Sequence, residues 1–63
     1  MFILTLRCPA QEKDMLIFNL WDRNTEGVIE EGDQVQAFFA EQFDTAEFAA
    51  FDPQWNQIGR AHV

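Results

Sequence analysis

The tightest constraint on this chain is Glu31-Gly32-Asp33-Gln34, which sets Gly-Asp between two short runs of strand-forming residues. A Gly-first pair in that setting predicts a two-residue hairpin, because its backbone twist matches that of the flanking strands. On the far side, Val35, Ala37 and Phe39 alternate with Gln34, Gln36 and Phe38, the period of a strand with one face buried. On the near side Val28 and Ile29 begin the partner strand, and Gly27 is expected to free the backbone that enters it.

The rest of the chain is read outward from that hairpin. Phe2, Leu4 and Leu6 alternate with Ile3, Thr5 and Arg7, a first strand that Cys8-Pro9 brings to an end. Ala10 to Asp22 is rich in helix formers, with Glu12 and Asp14 near its start and Arg23 just past its end, as the helix dipole favours. Leu16 with Leu20, and Ile17 with Trp21, predict a broad apolar stripe to lay on a sheet. Asn24 falls where a helix commonly stops in the left-handed conformation. Asp44 as N-cap and Glu47 three residues on predict a short second helix over Thr45 to Phe51, which Asp52-Pro53 stops. Gln54 to Ile58 can start a last strand. The order β-α-β-β-α-β is the split βαβ arrangement of an α+β, ferredoxin-like sandwich, with its last strand truncated.

The terminal Ile58-Gly59-Arg60-Ala61-His62-Val63 continues no earlier pattern. The codons ATC GGA AGA GCA CAC GTC TGA encode this hexapeptide and a stop, and they open a widely used sequencing adapter. Residues 1–57 are therefore expected to form the domain, and residues 58–63 a non-native tail. On that expectation His62 and Arg60 carry no functional argument.

With 63 residues the core is thin, and folding stability should be on the order of a few kcal/mol. Hydrophobic content of 48%, with seven Phe and two Trp, argues for a packed globule over a disordered segment. Eleven acidic against four basic residues give a net charge of −7, which repels phosphate backbones and acidic membranes and favours a basic partner. A lone Cys8 excludes an intrachain disulfide, and Met1 to Leu4 is too short for a signal-peptide apolar region. A cytoplasmic setting is expected.

Chemistry is hard to place. The single Cys lies at a strand end, the single His is in the tail, and serine is absent. Glu30 and Glu31 adjoin on one strand, so their side chains point to opposite faces. With Asp33 they read as a solvated turn, without the spacing of a calcium loop. Ala37-Phe38-Phe39 faintly echoes an RNA-recognition strand, but the flanking basic and glycine positions are missing and the net charge has the wrong sign. Phe38 is expected beside Ile3 on the open face of the sheet. Ile3, Thr5, Phe38, Glu30 and Glu31 are the candidate partner-binding residues, and no catalytic, cofactor-binding or metal-ligating residue is assigned.

Leu20-Trp21, Asn24, Gly27-Val28, Glu30-Glu31 and Ala37-Phe38-Phe39 together resemble the N-terminal domain of bacterial ribosomal-protein methyltransferases of the PrmA type. The resemblance spans residues 1–57 and departs at Asn24, where that family usually has glycine. It implies a ferredoxin-like substrate-recognition domain that holds the stalk-base protein of the large ribosomal subunit. S-adenosylmethionine and catalysis would belong to a separate Rossmann-like domain, whose motifs this chain lacks. The expected partner is thus a basic large-subunit ribosomal protein, bound by a monomer, with no direct nucleic acid and no membrane. The alternative is a small ferredoxin-like regulatory or interaction domain that binds a small molecule or oligomerises.

Overall fold

The computed structural model describes residues 1–57, so the tail, with Arg60 and His62, lies outside the described residues. Strand β1 (Phe2–Arg7) leads to helix α1 (Ala10–Asp22), followed by β2 (Gly27–Glu31) and β3 (Gln34–Phe39). A 3-10 helix (Ala46–Phe51) and strand β4 (Gln54–Gln57) complete the order. The four strands form one antiparallel sheet in the order β2-β3-β1-β4. This is an α+β, ferredoxin-like split βαβ arrangement, with β1 inside the sheet and β4 at an edge.

The hairpin closes as its residues dictate. Glu31 pairs with Gln34 across Gly32-Asp33, and Gly32 takes φ 61°. Positive φ at the first of the two central residues is the primed turn that a glycine in that place permits. The strand alternation is equally literal: Val35, Ala37 and Phe39 are buried while Gln34, Gln36 and Phe38 are half-buried.

Leu4, Leu6, Leu16, Leu20, Val35 and Ala37 form the aliphatic part of the core, between β1, β3 and α1. The stripe that α1 buries is narrower than expected. Leu16 and Leu20 are buried and Ile17 packs partly, but Trp21 is 52% exposed. The apolar floor narrows beyond β1 and β3, because β2 presents Glu30 beside the half-buried Val28 on the helix side.

The second helix is the main correction. It is a 3-10 helix of six residues that starts one residue later than expected and ends at Phe51 as expected, and its Phe48 N–H donates to the Thr45 carbonyl. A segment this short gains little from α-nucleation. The three-residue turn also stacks Phe48 and Phe51 on one side, where Phe48 is buried and Phe51 half-buried. Asp44 accepts the Ala46 N–H at 3.0 Å in an Asx turn, and Glu47 completes no capping box. Glu47 instead pairs with Arg23, whose guanidinium also stands 5.0 Å over the Phe43 ring. That contact joins the end of α1 to the 3-10 segment.

Under that segment lies an aromatic cluster. Phe43 meets Phe39, Trp55 and Phe48 edge-on, with centroids 4.8, 5.2 and 6.4 Å apart, and Phe2 meets Trp55 at 6.3 Å. Trp55 thereby pins β4 to the sheet. Gln57 already faces Phe2, the first residue of β1, and Gln54 faces Thr5. At its start β4 is bounded by Pro53, which has no N–H to offer the ladder, and the expected truncation at its other end lies outside the described residues.

Candidate functional site: the open face of the sheet

Both helices cover one side of the sheet and leave the other bare. The strand register lays that bare side out as a grid. One row holds Arg7, Gln34 and Glu31, the next Gln54, Thr5, Gln36 and Ile29, and the third Asn56, Ile3, Phe38 and Gly27. Facing residues on antiparallel neighbours share a side, and their Cβ atoms lie about 5 Å apart.

The grid divides into two chemistries. Thr5, Arg7, Gln34, Gln36, Gln54 and Asn56 line a polar groove of about 430 Å³. These amides and the guanidinium present both donors and acceptors to solvent. At the other end Ile3 and Phe38 are paired and half-buried, beside Ile29, which is 49% exposed. Met1, Val28, Ile29 and Phe38 bound an apolar hollow of about 260 Å³ there.

Of the five candidate residues, Ile3, Thr5, Phe38 and Glu31 fall on this face, and Glu30 does not. Glu30 faces the helix side, 4.0 Å from the Lys13 ammonium. Lys13 also donates to the Gly32 carbonyl, so it ties α1 to the hairpin. The sequence reading missed the amides of this face. Their signal was present: Gln34, Gln36, Gln54 and Asn56 all sit at alternate strand positions opposite the apolar set.

The position of Phe38 is held from behind. The Thr25 hydroxyl lies 2.9 Å from both the Phe38 and Gly27 carbonyl oxygens, and the Glu26 N–H donates to the same Phe38 carbonyl at 2.6 Å. The Cys8 thiol is buried at the opposite corner, where its backbone N–H donates to the Asp33 carbonyl at 2.8 Å. Burial raises its pKa above the ordinary 9.0, Glu12 adds to the rise, and Lys13 opposes it. No cluster of three metal-ligating side chains occurs among the described residues, and no described helix is long and apolar enough to cross a membrane. Compared with protein-family models, curated proteins and solved structures, the chain matches none.

Proposed function

We propose that this chain is a substrate-recognition domain of an S-adenosylmethionine-dependent ribosomal-protein methyltransferase. In this reading it docks a basic protein of the large ribosomal subunit in the cytoplasm as a monomer, and the cofactor and the methyl transfer belong to a separate catalytic domain. The observation that carries the docking role is the open sheet face, where Ile3, Phe38 and Ile29 meet solvent next to the amides of Gln34, Gln36, Gln54 and Asn56. An apolar patch rimmed by polar groups suits a protein surface, since the apolar part supplies affinity and the amides fix register. The net charge of −7 supports a basic partner by steering its approach. The assignment to a methyltransferase rests on the resemblance of Leu20-Trp21, Gly27-Val28 and Ala37-Phe38-Phe39, and the strand order is the one that resemblance implies.

Titration calorimetry of the chain against the purified stalk-base protein tests this reading, with hen lysozyme as a basic control. Saturable binding to the first alone is expected, weakened at least tenfold in Phe38→Ser. Absence of binding at low salt, or equal binding to lysozyme, overturns it. A dimer that forms without the partner favours a regulatory, oligomerising domain instead.

A further inference from the structure

Helix α1 carries a second unpartnered surface on the side of the molecule opposite the open sheet. Phe18 and Met15 are each 72% exposed and Trp21 is 52% exposed, although all three are large apolar side chains. At 100° per residue, Phe18 lies almost diametrically opposite the buried Leu16–Leu20 edge. Met15 and Trp21 stand three residues to either side of it, close enough to form one patch.

Charge frames this patch on one side of neutrality. Asp14 and Asp22 flank Phe18 four residues before and after, one helical turn each way, so their Cα atoms are about 12 Å apart along the axis. The described cations are all turned elsewhere. Lys13 binds the Gly32 carbonyl and neighbours Glu30, Arg23 pairs with Glu47 over Phe43, and Arg7 belongs to the open sheet face. The patch is therefore apolar at its centre and acidic at both ends.

We infer that the outer face of α1 docks a basic amphipathic helix of a partner protein, with Phe18 as the central apolar anchor and Asp14 and Asp22 as the charge register. A partner helix with Leu on one stripe and Lys about two turns apart places its ammonium groups at the separation of the two carboxylates. A second copy of this chain fits poorly, because antiparallel pairing of two α1 helices sets Asp14 against Asp22 while each chain carries −7. An anionic membrane is repelled on the same ground. This inference is carried by a surface separate from the sheet face and stands without the methyltransferase reading.

The test is amide and methyl NMR of the full chain titrated with an 18-residue Leu/Lys amphipathic peptide. A Leu/Glu peptide of the same pattern and a scrambled Leu/Lys peptide are the controls. Shifts confined to Asp14, Met15, Phe18, Trp21 and Asp22, with a blue shift of Trp21 emission, are expected from the Leu/Lys peptide alone. Phe18→Ala should weaken binding at least tenfold, and Asp14→Asn with Asp22→Asn should flatten its salt dependence. Phe18 is mostly solvated, so its truncation leaves the fold intact, which an unchanged spectrum elsewhere verifies. Equal binding of the Leu/Glu peptide overturns the charge assignment, as does a concentration-dependent dimer that Phe18→Glu dissolves. Shifts on Ile3, Thr5 and Phe38 instead overturn the α1 site while leaving the sheet-face reading in place.

Discussion

The Thr25 hydroxyl and the Phe38 carbonyl oxygen lie 2.9 Å apart, which ties the turn after α1 to the last third of β3. Thr25 is 6% exposed, and its oxygen also accepts the Gly27 N–H at 3.3 Å. The hydroxyl therefore supplies a buried acceptor that no solvent replaces, whereas the Phe38 carbonyl keeps its bond from Glu26. Thr25→Val preserves shape and strands the Gly27 N–H, so it should cost about 1–3 kcal/mol. Thr25→Ser should recover most of that. Urea melts followed by far-UV circular dichroism separate the two variants, and equal midpoints for Val and the parent would show that the hydroxyl contributes nothing.

Two neighbouring positions carry backbone choices that the fold does not need. Asn24 takes φ 65°, where glycine is the least strained residue, yet the chain places glycine at 27, which has no positive φ. A Cβ built on Gly27 meets nothing within 4 Å. Gly27→Ala should therefore stabilise by about 0.4–1 kcal/mol by restricting the unfolded chain. Asn24→Gly should be neutral to mildly stabilising, while Asn24→Ala should cost about 1 kcal/mol. Thermal unfolding of the three variants checks the order. A destabilising Gly27→Ala would mean that β2 needs more freedom at its start than its geometry indicates.

These residues also explain what could be read from the sequence and what could not. Period-two alternation and the Gly-Asp turn are local signals, so β1, β2, β3 and their pairing were legible, and α1 ends where Asn24 and its neighbours suggest. Gly27 was expected to free the backbone that enters β2, yet it takes no positive φ, whereas Asn24 takes the left-handed conformation that its place after the helix suggests. Trp21 misled because helical spacing defines a face without saying how wide the floor beneath it is. The 3-10 geometry of Ala46–Phe51 depends on bringing Phe48 and Phe51 onto the sheet together, a long-range demand that no capping pattern encodes. The open face was anticipated at Ile3 and Phe38, and Glu30 and Glu31 were expected on opposite faces; the register decides which, with Glu31 on the open face and Glu30 on the helix side.

The two tryptophans report on opposite surroundings. Trp55 sits among Phe2, Phe39 and Phe43, with centroids 6.3, 5.8 and 5.2 Å away, while Trp21 is 52% exposed. Trp21→Phe should leave blue-shifted emission from Trp55 and change stability by less than about 0.5 kcal/mol. Trp55→Ala removes the anchor of β4 and should cost about 3 kcal/mol, comparable to the whole stability of a domain this small. The remaining emission, from Trp21, should then be red-shifted both before and after unfolding. Normal cooperative melting of Trp55→Ala would show that β4 is held by its backbone ladder alone.

Cys8 gives the fold a pH limit on the alkaline side. It is 1% exposed, between the end of β1 and the hairpin turn, and burial is the largest cause of its raised pKa. The folded state thus favours the neutral thiol more strongly than the unfolded chain does. Below the ordinary value of 9.0 both states hold the proton and stability is unaffected by this group. Above it the unfolded chain loses the proton first, so fewer protons are bound in the unfolded state and stability falls as pH rises toward the folded pKa. Urea midpoints measured from pH 7 to 10 should decline more steeply for the parent than for Cys8→Ala, once the variant's own cavity cost at pH 7 is subtracted. Alkylation by iodoacetamide at pH 8 should likewise be slow in the folded chain and rise to the free-thiol rate in urea. Parallel pH profiles for the two proteins, or rapid labelling of the folded chain, would place the thiol in contact with water and remove burial as the cause of its shift.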